Sequence, residues 1–421
     1  MTFKPKSKFK SGSRTSKNWL SRFLKMCGFP TRLGPFSRLQ GRLIVIISGM
    51  LLSLYLLSNL FTFGHVARRT YPVEHGHYIN EIPASSSLIY PAIEHAPVLK
   101  EIGVRGLFTL RTDVEGRSSY ILNPSDKPLS DDEKKKTSDQ ILLVKKSFLD
   151  HGKLVYRKSV ATPEIVIVTL LDFESFDLDT IVSVVQNRVD YAQRHKYGVY
   201  MRWIQEFTPL LENQELQASQ EFIKPLIMRA AIHAFPQAKY VFFVDQHSLI
   251  MNLDLTLQQH LLDPSVLDMA LLKNVPVTPN SNIKTYQHFN VETTRIIIPQ
   301  SPSGQLDLSS IVVSTDLYGK AFLEYMIDPL FRSYDWEGFS SSVAHFLQWH
   351  PQFLGKTALV IQKLIAAPFD VSKPLDQATS DDTLDAVHYS PGDFVVSLKG
   401  CKLRGTCAAD IAFYYNSIQK N

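Results

Sequence analysis

The chain has only three cysteines among its 421 residues, Cys27, Cys401 and Cys407. That argues against a cysteine-built metal centre, which would need further Cys or His ligands at matching spacing. Glycine-rich phosphate loops are missing as well: neither G-x-G-x-x-G nor G-x-x-x-x-G-K occurs, so the usual dinucleotide and P-loop fingerprints are excluded. No N-glycosylation acceptor is present, because Asn123-Pro124-Ser125 carries the forbidding proline. The first 42 residues contain no acid against eleven Lys and Arg, and the first acidic residue is Glu74. The rest of the chain holds 34 basic and 40 acidic residues, a net charge of −6. A basic tail on an acidic body argues against a nucleic-acid partner and for a charge signal beside a membrane.

What is present begins with that membrane signal. Residues 43–63 are uncharged and rich in Leu and Ile, a length suited to crossing ~30 Å of hydrocarbon. The heavier cationic side is N-terminal, so residues 1–42 are expected in the cytosol and the body across the membrane, as in a type II signal-anchored protein. A cleaved signal peptide would need a short charged region and small residues at the cut; here the tail is long and Phe61-Thr62-Phe63 is bulky. In an oxidising lumen Cys401 and Cys407 are expected to form one disulfide, whereas Cys27 is a cytosolic thiol, inert or acylated. Residues 64–100, rich in Pro, Ser and His, read as an extended stem. In that stem His65, His75 and His77 lack acids or Cys at ligand spacing and read as solvated.

The composition, 44% apolar and 20% charged, is that of an ordinary globular body. Alternating apolar residues on either side of Asp113-Val114-Glu115-Gly116 predict a hairpin over 104–122. Ser130 and Glu133 form a capping box ahead of a helical stripe running through Ile141, Val144 and Phe148. With the stem, this N-terminal subdomain is assigned to 64–160. The main domain, 161–415, reads strand (164–171), helix (177–195), strand (199–203), helix (221–235), strand (240–244), the order of a parallel sheet with right-handed crossovers. Apolar runs at 269–272, 295–298, 311–313 and 358–361 would extend that sheet or form a second one.

The 240–244 run, Tyr-Val-Phe-Phe-Val, suits a strand buried on both faces. It ends abruptly in Asp245, Gln246 and His247. Ligands of open α/β sheets sit outside the carboxyl ends of the strands, so Asp245 is placed to face one. Two carboxylates spaced Asp-x-Asp there would hold Mg²⁺ or Mn²⁺ against a sugar-nucleotide diphosphate. Here His247 stands where the second acid would be. A lone Asp after a strand is also a common turn or cap residue.

Asn187-Arg188, Asp190-Tyr191-Ala192 and His195-Lys196-Tyr197-Gly198, followed by Lys224-Pro225, Arg229, Ala234-Phe235-Pro236 and the 240–252 strand region, resemble family 34 glycosyltransferases over about residues 160–410. Further runs, such as Gly76-His-Tyr-Ile-Asn-Glu-Ile-Pro83 and those at 139–145, 147–152 and 272–276, look like a subunit of the fungal mannan polymerase II complex. The resemblance implies a GT-A (Rossmann-like) α/β domain on a membrane anchor and stem in the Golgi. It implies GDP-mannose as donor, Mn²⁺ as cofactor, an α-1,6-mannan acceptor, other mannan polymerase II subunits as partners, and transfer with retention. Asp245 and His247 would be the catalytic metal ligands. Lys224 and Arg229 would face the donor diphosphate, or else be helix-surface charges. Arg188, Asp190 and His195 would line the nucleotide pocket, although Asp190 and Arg194, four apart, also suit a helical ion pair. Lys402, with Lys399 and Arg404, would supply cations to the diphosphate.

The departures from the family pattern cluster. His247 replaces the second acid of Asp-x-Asp, and Ser397 the His of His-Phe-x-Gly-Cys. Val313-Ser314-Thr315 stands for Ile-Arg-Asn, and Phe339-Ser340-Ser341 for Glu-Gln-Asp. Two functions compete: a retaining α-1,6-mannosyltransferase that lengthens a mannan backbone, and a structural or allosteric subunit of the same complex with a decayed donor site. A hydrolase with His233 or His260 as base lacks a nucleophile in a recognisable setting. The eleven-to-zero charge bias ahead of residue 43 predicts that protease added outside intact Golgi vesicles trims only the tail. Digestion of the 160–410 body under those conditions would contradict the topology.

Overall fold

The computed structural model describes residues 49–54, 86–112, 114, 116, 118–122, 131–150, 156, 162–211, 220–369 and 387–419. Among them no helix is long and apolar enough to cross a membrane. The expected span at 43–63 lies outside the described residues except for 49–54, which are helical. Residues 64–85, including the stem histidines, also lie outside them.

Seven strands form the main sheet, in the order Leu88–Ile89, Gly198–Trp203, Ile165–Leu171, Tyr240–Val244, Ser310–Ser314, Ile296–Gln300, Thr357–Ile361. The first four run parallel, as the alternation of strands and helices predicts. Ser310–Ser314 is the reversed member, antiparallel to both its neighbours, while Thr357–Ile361 again runs parallel to Ile296–Gln300. The sheet is therefore mixed, and the reversal brings the amino end of Ser310–Ser314 to the edge where the other strands end.

Alternation along each strand explains why the central runs are mainly apolar on both faces. Ile165, Ile167 and Leu171, with Phe242 and Val244, pack on one face with Ile181, Val184 and Val185 of the Leu178–His195 helix. Val166, Val168, Val241 and Phe243 pack on the other, with Ile227 and Ala231 of the Ile223–Ala234 helix and with Phe322 and Phe346 from two later helices. A strand covered on both faces has no polar position to spare. Asp177 starts the first crossover helix by accepting Thr180 N–H at 3.0 Å, and Lys196 ends it in the left-handed conformation (φ 60°).

A three-stranded sheet of Ala367–Pro368, Val395–Ser397 and Ser248–Ile250 lies beside the end of the Tyr240–Val244 strand. Its antiparallel register sets Ser397 opposite Ser248. Ser248 and Ser397, 149 positions apart, thereby meet beside Asp245.

Several expectations change. The stem reading fails from residue 86 onward. Leu88–Ile89 is an edge strand of the main sheet, and Ile93 (0% exposed), Ala96 (2%) and Leu99 (1%) are buried in its core. Pro-rich composition did not show that apolar residues here meet Val189 and Val199 in one cluster. The hairpin is present as Phe108–Thr112 paired with Ser118–Leu122, but residues 104–107 belong to the preceding Ala96–Leu107 helix. The helical stripe is two helices, Asp131–Lys136 and Gln140–Asp150, because Asp139 caps a new start by accepting the Ile141 (3.0 Å) and Leu142 (3.3 Å) amides. Ser130 of the predicted capping box lies outside the described residues. Residues 269–272 are no strand: Met269 and Ala270 end the Pro264–Ala270 helix, started by the Asp263 cap and Pro264, and Leu271 makes a single bridge to Val360.

If the Leu88 strand and the helix after it belong to the core, a chain beginning at Ser86 should unfold cooperatively. One beginning at Phe108 should lose roughly 3–6 kcal/mol from Ile93 and Leu99 alone, at ~1.5–3 kcal/mol per buried aliphatic side chain. Equal urea midpoints for the two would place residues 86–107 outside the cooperative unit.

Candidate functional site

The Tyr240–Val244 strand delivers Asp245 to the carboxyl edge of the sheet, and the reversed strand holds it there: Asp245 N–H donates to Ser309 O at 2.7 Å. Beyond it the chain turns tightly, with Ser248 N–H on Asp245 O at 3.0 Å. The Asp245 carboxylate is fully engaged. Oδ1 accepts His247 N–H (3.0 Å) and Nδ1–H (2.8 Å), while Oδ2 faces Lys224 Nζ at 3.2 Å. The same ammonium reaches Glu221 Oε2 at 2.8 Å and Leu308 O at 3.4 Å. Burial by itself would raise the Asp245 carboxyl, but the Lys224 charge and the His247 hydrogen bonds outweigh it and hold the group well below the ordinary carboxylate value. Burial likewise opposes the charge on Lys224, and Glu221 and Asp245 overcome it, so its ammonium is held above the ordinary lysine value.

A cleft of about 300 Å³ opens over this network. Lys224, Asp245, His247, Asp307 and Ser309 line it from the sheet side, Gly338 to Ser340 from the start of a helix, and Ser397, Lys399 and Lys402 from the small sheet and the loop after it. Asp307 is 2% exposed; it accepts Ser309 N–H at 3.0 Å and Gln362 Nε2–H at 2.7 Å, and Lys399 Nζ lies 3.9 Å away. The Lys399–Lys402 loop is braced by the expected disulfide, Cys401–Cys407. Arg404 adds a bond to Asp410 (3.1 Å) and lies 4.4 Å from the centre of the Phe369 ring.

The predicted residues divide. Asp245, His247, Lys224 and Lys402 meet in the cleft, together with Ser340 and Ser397. Arg188 does not line it. This residue is 0% exposed and lies behind the turn, where it donates to Asp245 O (2.8 Å), Ser248 O (2.5 Å) and Asn187 Oδ1 (3.0 Å). Burial pushes its guanidinium down to about 9, opposed by Asp245, so it stays charged at neutral pH. Asp190 accepts from Gln186 at 2.6 Å, and His195 bonds Leu253 O at 2.8 Å among Tyr191 and Tyr197. His195 thus supports the segment after Ile250, Asp190 bonds within its own helix, and neither lines the cleft. Arg194 pairs with Asp254 instead of Asp190. Arg229 makes a 3.0 Å surface ion pair with Glu324 on the neighbouring helix and is not among the residues that line the cleft. Thr315 follows the reversed strand at the opposite edge of the sheet, bonded to Ala238 O, because Ser314 pairs with Tyr240 and Ser310 with Val244. His260 bonds Leu364 O at 2.8 Å, away from the cleft. The sequence reading missed Asp307 and Glu221. Nothing in the sequence marks an acid ahead of a strand as facing Asp245 until that strand is known to run backwards.

A divalent ion held between Asp245 and His247 does not fit this donor set. His247 turns Nδ1–H toward Asp245, so the Nε2 lone pair, buried without a hydrogen-bond partner, lies on the far side of the ring and cannot share one ion with the Asp245 carboxylate. One ring nitrogen of His247 lies within 4.8 Å of both Cys401 and Cys407 sulfurs, but these are joined as a disulfide and offer no thiolate. The remaining oxygen, Asp245 Oδ2, already faces an ammonium, and a second positive charge there meets its repulsion.

The two shifts set a pH window. Asp245 is depressed, so its contribution to stability is complete above about pH 4 and is lost as pH falls toward the folded value. Lys224 is raised, so its contribution is complete below about pH 10 and is lost only as pH rises through the folded value. Asp245→Asn should therefore flatten the acid limb of the stability curve below about pH 4, read as urea midpoints. An unchanged acid slope would show that the carboxylate carries no such linkage.

Residues 161–408 match the galactosyl transferase GMA12/MNN10 family, which spans the main sheet from its Ile165 strand to the Cys407 disulfide. The probable alpha-1,6-mannosyltransferase MNN11 of Saccharomyces cerevisiae is 52% identical over 434 residues, covering 100% of both chains. An uncharacterized alpha-1,2-galactosyltransferase of Schizosaccharomyces pombe is 25% identical, over 56% of this chain and 60% of its own. The probable alpha-1,6-mannosyltransferase MNN10 of S. cerevisiae is 21% identical, over 56% and 59% respectively. With its mixed α/β glycosyltransferase-like fold and its cleft at the carboxyl edge of the sheet, the chain belongs to the galactosyl transferase GMA12/MNN10 family and is a glycosyltransferase.

Proposed function

We propose that this chain is a GT-A α-1,6-mannosyltransferase that uses GDP-mannose to lengthen a mannan backbone, as a subunit of a hetero-oligomeric Golgi complex. The observation that carries the reading is the convergence of Lys224, Lys399 and Lys402 on one cleft at the sheet edge. That edge is where α/β folds bind nucleotides. The full-length 52% identity to a probable alpha-1,6-mannosyltransferase supports mannose and the linkage. The charge bias of residues 1–42 and the apolar run after them support a type II Golgi anchor.

In this reading the donor diphosphate lies against Lys399 and Lys402 at the cleft mouth, with the sugar toward Asp245 and Asp307. Cleavage of the sugar–phosphate bond leaves charge on the departing diphosphate, and ammonium groups fixed beforehand stabilise it without reorganising. The disulfide and the Arg404–Asp410 bond keep that loop in place. No step runs through a divalent ion, since the donor set does not fit one. The scaffold reading keeps one specific support: Ser340 and Ser397 line the cleft where the family pattern has a Gln and a His.

The deciding assay is the full chain in detergent, alone and with its partner subunits, given GDP-mannose and an α-1,6-mannoside. A new α-1,6 linkage is expected. Lys399→Ala combined with Lys402→Ala should lower kcat/KM by at least ~10–100-fold, the loss of one charge-assisted contact at ~1.5–3 kcal/mol. A complex carrying that double variant with full elongation activity would assign the chain to the scaffold role.

A further inference from the structure

We infer that the Lys224 ammonium fills the cation position on Asp245, so that the cleft takes a nucleoside diphosphate on protein ammonium groups without a divalent ion. The inference rests on the donor reading above and concerns how that donor is held.

A strand-end carboxylate is useful to a diphosphate only through a cation that both can share, because two anions in direct contact repel. Here the cation on Asp245 Oδ2 belongs to the chain. Lys224 is nearly buried, with its side chain 8% exposed, and its three N–H donors have three acceptors: Asp245 Oδ2 at 3.2 Å, Glu221 Oε2 at 2.8 Å and Leu308 O at 3.4 Å. Such an ammonium is fixed in place much as a bound metal would be.

The three partners differ in mobility. Asp245 is locked by its own turn and Leu308 O is backbone, but the Glu221 side chain is 54% exposed and lines the cleft. Glu221 is therefore the partner that a phosphate oxygen can replace, and it keeps the acceptor place on Lys224 while the cleft is free of ligand. After the exchange Lys224 bridges Asp245 and the diphosphate, the role a Mg²⁺ or Mn²⁺ ion takes between two carboxylates and a phosphate. Lys399, with 68% of its side chain exposed, and the exposed Lys402 meet the outer phosphate oxygens. His247 braces Asp245 Oδ1, and its ring packs edge-on against Phe176 at 5.3 Å.

The test is GDP binding to the full chain in detergent, by calorimetry, in EDTA and in Mn²⁺. Wild type should bind equally in both, within about twofold, whereas Lys224→Ala should bind about tenfold or more weakly in EDTA and recover part of the loss when Mn²⁺ is added. Glu221→Gln, which frees a donor of Lys224, should bind GDP more tightly than wild type. Wild-type binding that needs Mn²⁺, or Lys224→Ala binding like wild type in EDTA, would overturn the inference while leaving the donor reading intact. Absence of GDP binding with and without Mn²⁺ would overturn the donor reading itself. The wild-type comparison needs no variant, and Lys224→Arg, expected to keep metal-independent binding, covers the case in which Lys224→Ala does not fold.

Discussion

A buried guanidinium behind one tight turn is the constraint on which the rest of the site depends. Arg188 projects from the first crossover helix beneath the end of the Tyr240–Val244 strand and donates to Asp245 O and Ser248 O. Asn187, its neighbour, receives Ile250 N–H at 2.9 Å and donates to Ile250 O at 2.7 Å. Together they fix the backbone on both sides of His247 through one helix. Hydrogen bonds from a charged donor contribute ~1.5–3 kcal/mol each, and more is at stake when the group left behind is buried. Gln246 ties the same turn to the end of the Ile165–Leu171 strand by accepting Asp172 N–H at 2.8 Å. Asp245 thus meets the cleft in one orientation, set by groups the ligand never touches.

Around that fixed turn, the fold brings together stretches that lie far apart in sequence. The second crossover helix supplies Lys224, the reversed strand brings Asp307 and Ser309, and the small sheet brings Ser397 and the disulfide-braced lysine loop. Each contributes one sign of charge next to the other: Glu221 against Lys224, Lys224 against Asp245, Lys399 against Asp307. Buried charges persist only when paired in this way. The pairing explains how a cleft that lacks the second acid and the His of the family pattern still holds a single, ordered arrangement.

Much of the fold was legible because its signals are local. Short runs rich in β-branched and aromatic residues at Ile165–Leu171 and Tyr240–Val244 suit strands covered on both faces, and the Asp177 cap marks its helix. The lysines and the acid of the site were legible from motif order. What failed had a common cause. Arg188, Asp190 and Thr315 were assigned to a pocket by family position, and chain order does not say which side of a helix or which end of a strand faces it. The stem reading failed for the converse reason: composition describes an average, and three buried side chains, Ile93, Ala96 and Leu99, were enough to draw that segment into the core.

The sequence by itself determined the α/β alternation, the acid at the end of the organising strand and the charge asymmetry ahead of residue 43, since each depends on residues close together in the chain, while the candidate lysines came from the family resemblance. Only the tertiary structure decided the direction of Ser310–Ser314, the presence of Asp307 in the cleft, the separation of Arg229 from it, and the pairing of Lys224 with Asp245. Those depend on contacts between residues 21 to 95 positions apart. The free energy of such contacts comes from burial and charge pairing in the folded chain, and no stretch of sequence carries it alone.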